Sequence, residues 1–549
     1  MRYCLSLTVG VLLLGLAWAP GVVAAPEEGL HPTDGAADSL PAKKDEAGAI
    51  PPMVWGEAGL RECMIETGDR WPHYKPGLER PSPHPDYATH GPRVPAFPGA
   101  EGFGAYAFGG RGGKVLRVTH LGDAGPGSFR AAVEAEGPRT VIFDVSGTIM
   151  LETPIHVAHP YLTIAGQTAP GEGITVAGRM FHVYTFDVII RHIRFRLGDY
   201  RGEVADPHWH DWTFFLNSSN HVILDHITLS WGVSGNLVVQ RNDHITVQNC
   251  LLAKPLTNSY HRKERRGYGA LVRGRHGARY SFVRNLWANH RERVPRPGNY
   301  LSHGEDPDGL FMDFRNNVIY EGVGANYDED AVTRYNGVNN YMLTPWRLIE
   351  RSPVTQGHFS GNIEAGVART DQWDLLLPGR AVRREYHEQT RPFDAGKVTT
   401  LTAARAYEQV VAQAGAWRRD AHDVNVVNEL RNYHARAIEG NPETPHALPD
   451  GWPTGSIDSR EQVGGLPEIV SIIVPEAIDA NRNGLPDWWE AANGLNTSDP
   501  DIAARDSNGN GYTNIEDYIN DLDAVRTTHA LIQEISGSHP RERRGSVDK

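Results

Sequence analysis

Four stretches of the sequence decide the fold: Val222–Leu229 (Val-Ile-Leu-Asp-His-Ile-Thr-Leu), Ile245–Leu252 (Ile-Thr-Val-Gln-Asn-Cys-Leu-Leu), Phe282–Trp287 (Phe-Val-Arg-Asn-Leu-Trp) and Phe314–Ile319 (Phe-Arg-Asn-Asn-Val-Ile). Each is a short apolar strand with polar residues in its middle. Similar strands recur between about residues 96 and 362, and many begin roughly twenty to thirty-five residues apart, with further strands between them. This spacing is typical of the coils of a β-solenoid, in which each coil packs on its neighbours.

Asparagines interrupt three of these strands, at Asn249, Asn285 and Asn316. In stacked coils such side chains can lie above one another and hydrogen-bond along a ladder. The alternative is a β-sandwich. The scarcity of two-residue Asn-Gly or Asp-Gly hairpin turns between neighbouring strands counts against it.

The N-terminus indicates export. A positive start, an apolar run from Cys4 to Trp18 and small residues up to residue 25 are typical of a secretory signal peptide over residues 1–25, with an uncleaved membrane anchor as the alternative. We expect a secreted protein, extracellular or periplasmic, with no membrane span after cleavage. Cys63 and Cys250 would then remain, and the sequence leaves open whether they pair.

Composition changes divide the rest of the chain. We predict a Pro/Gly-rich linker over 26–92, a β-solenoid catalytic domain over 93–365, and an extension with helices over 366–470. The helices are expected over 402–415 and 420–439, packed against the solenoid. A small calcium-binding module over 471–523 and a polar tail over 524–549 complete the 549 residues.

Two acidic loops have the ligand spacing of EF-hand calcium sites, with oxygen-bearing residues at alternating positions and glycine at the sixth. The alternative is a pair of Asn/Asp/Gly turns without metal. The second loop ends in Asp517, with Glu516 one position early. The predicted ligands are Asp479, Asn481, Asn483, Asp487 and Glu490 in the first loop, and Asp506, Asn508, Asn510, Asn514 and Asp517 in the second.

Positive charge is concentrated between residues 261 and 296, where eleven Arg or Lys residues face two Glu residues in a chain of net charge −13. Guanidinium groups bind carboxylates bidentately, so an acidic polysaccharide is the expected partner. The acidic total and the exported N-terminus argue against nucleic acid. A basic face that is merely solvated is the remaining alternative.

Five motifs stand out between residues 96 and 296. They are Ala96–Gly104 (Ala-Phe-Pro-Gly-Ala-Glu-Gly-Phe-Gly), Gly125–Arg130 (Gly-Pro-Gly-Ser-Phe-Arg), Phe143–Gly147 (Phe-Asp-Val-Ser-Gly), Leu224-Asp-His226 with Ser230-Trp-Gly232, and Arg293-Val-Pro-Arg296. Together they resemble the pectate lyase superfamily, in particular its secreted bacterial members. The resemblance spans about residues 96–340 and implies a right-handed parallel β-helix that cleaves polygalacturonate by β-elimination, acting as a monomer and using Ca²⁺.

The resemblance implies site residues in this chain. Arg293 matches the arginine that removes the proton from carbon 5 of the uronate, and substrate-binding roles are expected for Arg296, Lys254 and Lys263. The catalytic Ca²⁺ ligands would be Asp211, Asp225 and Asn236. Here the chain departs from the family, because Ser234, Asn236 and Val238 stand where acidic residues are expected.

Three interpretations therefore remain. The first is an extracellular lyase of pectate. The second is a β-helix that binds acidic polysaccharide without cleaving it. The third is a lyase that acts without catalytic calcium on another uronate polymer.

Overall fold

A computed structural model describes residues 94–200, 212–261, 265–322, 324, 330–346, 348–350, 352, 354–378, 384–438 and 455–523. The predicted signal peptide, linker and polar tail lie outside these residues. The strands are β1 Lys114–Val118, β2 Arg139–Phe143, β3 Gly147–Met150, β4 Ile155–Val157, β5 Leu162–Ala165, β6 Ile174–Ala177, β7 Phe181–Val183, β8 Phe186–Arg191, β9 Arg194–Arg196, β10 Trp212–Asn217, β11 Asn220–Asp225, β12 Thr228–Ser230, β13 Gly235–Gln240, β14 Asp243–Gln248, β15 Leu251–Ala253, β16 Tyr268–Arg273, β17 Ala278–Val283, β18 Leu286–His290, β19 Leu310–Arg315, β20 Val318–Gly322, β21 Thr333–Val338, β22 Tyr341–Met342, β23 Leu348–Glu350, β24 Gln356–Ser360, β25 Ile363–Glu364, β26 Val367–Ala368 and β27 Leu376–Pro378.

Three parallel sheets form the walls of a right-handed parallel β-helix, as predicted. Sheet S1 has the order β1-β2-β5-β8-β11-β14-β17-β19-β21-β24, sheet S2 has β3-β6-β9-β12-β15-β18-β20-β22-β25-β26, and sheet S3 has β4-β7-β10-β13-β16. Each full coil passes from S1 to S2, then to S3, and back to S1 one position along. Within the described residues only the terminal β25–β26 pair of these sheets is antiparallel. The β-sandwich alternative is thereby excluded.

An asparagine ladder marks the turn from S1 to S2. Asn317 accepts hydrogen bonds at Oδ1 from the backbone and side-chain amides of Asn285, both at 3.0 Å, and the same pattern continues to Asn340 and Asn362. Of the three predicted members, only Asn285 is in this ladder. Asn249 and Asn316 lie one position earlier in their turns, with left-handed φ values of 53° and 56°.

The helices of the extension cover the outer face of S2. The described helices are α1 Phe129–Val133, α2 Arg384–His387, α3 Ala403–Gln413, α4 Ala421–Ile438 and α5 Asp487–Ala492, followed by a helical segment over 514–523. Helix α3 begins after Thr402, which caps it as predicted. Apolar residues of α3 and α4 pack on strands of S2, which confirms the predicted packing.

The C-terminal module packs on the outer face of S1. Ile142 and Ala165 of the solenoid form one apolar cluster with Trp489 and Ile515 of the module. Ion pairs join the same surfaces: Arg111 pairs with Glu516 at 3.0 Å, and Arg191 with Asp523 at 2.6 Å. The module is therefore part of the solenoid's packing.

No helix in the described part of the chain is long and apolar enough to cross a membrane.

Candidate active site

The outer face of S3 forms an apolar floor. Strand alternation turns one set of side chains from β10, β13 and β16 inward to the core, and the intervening set outward. The outward residues Phe215, Val238 and Leu271 pack into a separate cluster with Met180 and with the first residues of β10 and β16, Trp212 and Tyr268. These bulky side chains exclude water from the sheet surface. The cluster comprises Met180, Trp212, Phe215, Val238, Tyr268 and Leu271.

Arg293 lies at the edge of this floor, because residues 292–296 run alongside β16. Glu292 pairs with Tyr268, and Arg296 with Leu271, in parallel register. The Ala270 amide donates to the Arg293 carbonyl at 2.6 Å. With φ at 68°, the Arg293 backbone is left-handed, a conformation that costs free energy for a residue with a Cβ and is often found at functional sites. The chain thus holds Arg293 in a fixed position beside S3.

The Arg293 guanidinium stacks on Tyr268, with Cζ 3.7 Å from the ring centroid. The Arg293 side chain is 14% exposed, and the carboxylate of Glu292 approaches its Nε only to 3.9 Å. Among the described residues, Nε has no hydrogen-bond partner. Burial lowers the pKa of Arg293, and the nearby Arg273 and Arg266 guanidinium groups add to this effect. Arg293 is thus a desolvated, incompletely bonded arginine at the edge of the outer face of S3. We call this face, together with residues 292–296 beside it, the groove.

Tyr268 contacts further cations of the groove. Arg266 donates from Nη1 to the Tyr268 hydroxyl at 2.8 Å, and Arg291 lies 6.0 Å from the ring centroid. An aromatic face attracts cations through its quadrupole, more strongly where water is excluded. The ring therefore gathers several arginines at one place, and the sequence analysis did not single it out.

The structure divides the basic cluster of residues 261–296. Arg279 pairs with Asp243 at 3.2 Å and Arg284 with Glu101 at 2.7 Å, both on the S1 side of the coil. Arg293 and Arg296 lie beside S3. Cations that are close in sequence therefore lie on different faces, because each coil turns the chain through three sheets.

Lys254 does not line the groove. Its ammonium group is 4% exposed and pairs with Glu429 of α4 at 2.8 Å; it also donates to the Gly455 carbonyl at 3.3 Å. Lys254 thus ties the extension to the solenoid, and the structure does not support the predicted substrate contact. Lys263 lies outside the described residues.

Asp225 lies at the turn from S1 to S2, away from Arg293. Its buried carboxylate bonds to Arg191 at 2.9 Å, and to Gln248 and Asn249 at 2.9 and 3.0 Å. Burial alone would raise its pKa, but His226 and Arg191 hold it well below its usual range. Asp225 is therefore a bonded structural anion, and the structure does not bring it to the predicted calcium site.

A histidine pair adjoins Asp225. His192, Asp225 and His226 offer ligand atoms within 4.8 Å of one another. His192 also contacts Asp523 at 3.2 Å, and burial lowers its pKa to about 4. The Arg191 guanidinium bonds to both carboxylates and repels a cation, so this cluster is better suited to hold the module than to hold a metal.

Asn236 is also fully engaged. Its Nδ2 donates to the Ala253 carbonyl at 3.0 Å and lies 3.2 Å from His290 Nε2, while its Oδ1 accepts from the Gly232 amide at 3.3 Å. The side chain is completely buried. Asn236 therefore presents no open oxygen to the groove, contrary to its predicted role, and Asp211 lies outside the described residues.

The first acidic loop of the module is arranged around Glu490. Asn483 donates to Glu490 Oε1 at 2.7 Å, and Asn481 approaches the same atom at 3.5 Å. Glu490 Oε2 is buried and has no hydrogen-bond partner among the described residues; burial raises the pKa of Glu490. Asp479 accepts the Gly484 amide at 2.8 Å and pairs with Arg117 of β1. Asp487 accepts the Ala480 amide at 3.0 Å.

The second loop closes on Asp517, as predicted. Asn508 and Asn510 donate to its two oxygens at 2.8 and 3.0 Å. Asp506 accepts the amides of residues 509 and 511 at 2.7 and 2.9 Å. Glu516 points away to Arg111. Asn514 was predicted as a ligand, but its Nδ2 donates to the Ile502 carbonyl at 2.7 Å and to the Ser507 hydroxyl at 2.8 Å. Asn514 serves to brace the loop.

Comparison with known proteins places the chain among lyases. No family model matches it. The probable pectate lyase C of Aspergillus flavus is 30% identical over 443 residues, which cover 78% of this chain and 94% of that protein. The chain belongs to the pectate lyase family. The probable pectate lyase C of Neosartorya fischeri is 29% identical over 451 residues, covering 78% and 93%. These pectate lyase relatives are fungal, so the likeness to bacterial members stays a prediction.

Two solved structures are also similar to this pectate lyase family chain. Jun a 1, the major allergen of cedar pollen, has a TM-score of 0.42 and 15% identity, covering 58% of this chain and 93% of that one. A pectate lyase of Bacillus sp. N165 in complex with trigalacturonate has a TM-score of 0.39 and 15% identity, covering 58% and 99%.

Proposed function

We propose that this pectate lyase family chain cleaves polygalacturonate by β-elimination, with Arg293 as the group that takes the proton from carbon 5. The observation that carries the proposal is the state of Arg293: desolvated, stacked on Tyr268 and short of hydrogen bonds. A buried arginine with a lowered pKa and an open donor face is poised to interact with an anion.

The reaction needs few groups. The carbon 5–hydrogen bond breaks, its electron pair forms the double bond to carbon 4, and the glycosidic oxygen on carbon 4 leaves and takes up a proton from water. Arg293 in its neutral form accepts the carbon 5 proton and becomes a guanidinium, and the arginines beside it stabilise the negative charge that develops on the adjacent carboxylate. Arg296 follows three residues later, after a turn, and also lies beside β16, where it supplies a second cation to that charge.

The described residues do not fit a catalytic Ca²⁺ beside Arg293. Of the predicted ligands, Asp225 is paired with Arg191 at the turn from S1 to S2. The Oδ1 of Asn236 already accepts a hydrogen bond from the Gly232 amide. No step of the mechanism is therefore routed through calcium. These observations favour a lyase over the non-catalytic binding protein, because Arg293 keeps the features that catalysis needs.

The first loop of the module does fit Ca²⁺. Hard oxygen donors converge there, and the buried, unpartnered Oε2 of Glu490 is a group that a cation would satisfy. We assign Asp479, Asn481, Asn483, Asp487 and Glu490 to this site, and Asp506, Asn508, Asn510 and Asp517 to the second. When bound, Ca²⁺ neutralises these carboxylates and cross-links each loop. The role is structural.

We also propose that the protein is secreted and works as a monomer, after removal of residues 1–25. A polymeric substrate lies outside the cell, and the N-terminal pattern supports export. The domain division of linker, solenoid, extension and module is part of the same proposal.

The experiment that tests the function uses purified full-length protein with polygalacturonate. Elimination creates a double bond conjugated with a carboxylate, which absorbs in the ultraviolet, whereas binding or hydrolysis does not. We expect this absorbance to rise with time, and to rise equally after brief treatment with a chelator. No absorbance change on polygalacturonate or on other uronate polymers would favour the binding protein. Activity that a chelator abolishes and added Ca²⁺ restores would contradict the calcium-free mechanism. The control is the module variant Glu490→Gln, which weakens the structural calcium site. If this variant is as active as the unchanged protein, loss of the structural ions does not explain an effect of the chelator.

A further inference from the structure

Tyr300 presents an aromatic ring to solvent beside the groove. Its side chain is 59% exposed, and it follows the Arg293–Arg296 segment in the chain. Burying a large aromatic ring is favourable, so a ring that is held exposed to solvent is a candidate contact for a ligand.

The loop that carries Tyr300 is firmly anchored. The Asn299 Oδ1 accepts from the amides of Tyr300 and Leu301 at 2.8 and 3.2 Å. Its Nδ2 donates to Asp306 at 2.7 Å, and the buried Asp306 also accepts the amides of residues 276 and 309. The ring therefore has a set orientation before any ligand arrives, which lowers the entropy cost of binding.

Polar and cationic groups surround the ring. The Tyr300 hydroxyl donates to Gln240 Oε1 at 3.1 Å. Gln240 stands in register between Asn217 and Arg273 on three successive coils, at the far end of S3. The guanidinium carbons of Arg273 and Arg241 lie 5.2 and 5.9 Å from the ring centroid. Ring face, amides and arginines thus meet at one place.

We propose that Tyr300, with Gln240, Arg241 and Arg273, forms a second subsite that binds one uronate unit of the substrate chain. The carbon–hydrogen face of the sugar stacks on the ring, and its carboxylate pairs with the guanidinium groups. This inference rests on the proposed function, since it names a second contact of the same substrate.

The subsite lies further along the same strand as Arg293. The Ala270 amide donates to the Arg293 carbonyl, and Arg273 ends β16, so three residue steps, about 10 Å, separate these positions along the sheet. A uronate chain that is held at Arg293 and continues along β16 therefore reaches the ring. Stacking adds binding energy for such a chain, worth roughly a three- to tenfold change in affinity.

The test compares Tyr300→Ala with the unchanged protein on polygalacturonate. We expect the KM to rise three- to tenfold with kcat nearly unchanged. Tyr300→Phe keeps the ring and should retain most of the affinity. The matched control is Trp488→Ala, another ring of 63% exposure, on the distant module.

Affinity electrophoresis in gels containing polygalacturonate measures binding without turnover. If no protein forms unsaturated product, the proposed function fails, but weaker retention of Tyr300→Ala still supports the subsite. Because the ring is exposed, Tyr300→Ala and Tyr300→Ser open no cavity, and unchanged thermal unfolding verifies their fold. Equal retention and equal KM for Tyr300→Ala and the unchanged protein would overturn the subsite. So would an equal loss in Trp488→Ala.

Discussion

Tyr268 should control the orientation of Arg293. The sharpest perturbation is Tyr268→Leu, which keeps an apolar side chain on the floor of S3 but removes the aromatic face 3.7 Å below the guanidinium. Because both groups are largely buried, the lost cation–π attraction is worth about 2 kcal/mol. If this attraction holds Arg293 in its productive orientation, the rate falls by roughly 30-fold.

The assay is the initial rate of unsaturated product from polygalacturonate, with affinity measured in parallel. Tyr268→Phe is the control: it keeps the ring and loses only the hydroxyl bond from Arg266, so most of the activity should remain. In a background of Arg293→Lys, Tyr268→Leu should have little further effect, since the two changes remove one interaction. Full activity of Tyr268→Leu, or losses that multiply in the double variant, would refute this reasoning.

Three further predictions concern stability. Burial lowers the pKa of His192 to about 4 and of His290 to about 3, so the unfolded chain binds protons first and stability falls as pH drops below 6.5. At pH 5 each of the two histidines lowers the free energy of unfolding by about 2 kcal/mol. In urea titrations, His290→Gln should therefore reduce the loss of unfolding free energy between pH 7 and pH 5 by that amount. Asn317→Ala should lower the free energy of unfolding by on the order of 3 kcal/mol because it breaks the ladder. The exposed control Asn425→Ala should be nearly neutral, and equal urea midpoints for the two variants would contradict this. Asp523→Asn should lower the free energy of unfolding by about 3 kcal/mol and speed proteolysis of the module, since it removes the ion pair between Asp523 and Arg191; an unchanged proteolysis rate would contradict this.

The sequence predicted the solenoid because apolar strands recur at the coil spacing, and this signal does not depend on side-chain detail. The ladder was placed less well. Asn316 and Asn317 are adjacent, and only the left-handed backbone of Asn316 decides that Asn317 points inward. The type of residue alone does not reveal which of two adjacent asparagines adopts the left-handed backbone conformation.

The site was predictable only where a motif carried it. Arg293 was predicted from the Arg-x-Pro-Arg motif. Lys254 was predicted as a substrate contact because of its charge, but its partner is Glu429 of α4, 175 residues away in the sequence. Tyr268 and Tyr300 were missed because an aromatic residue beside arginines has no distinctive spacing. The Tyr-rich flanks of the basic segment, Gly267-Tyr268-Gly269 and Gly298-Asn-Tyr300, were the available signal.

The central claim is that Arg293 performs the elimination, and Arg293→Lys tests it most directly. Lysine keeps the positive charge but loses the planar fork and the stacked geometry on Tyr268. The account predicts a loss on the order of 10²-fold or more in the rate of unsaturated product, with retention in polygalacturonate gels little changed and a wild-type rate that rises with pH as more Arg293 is deprotonated. Near-full activity of Arg293→Lys would contradict the account.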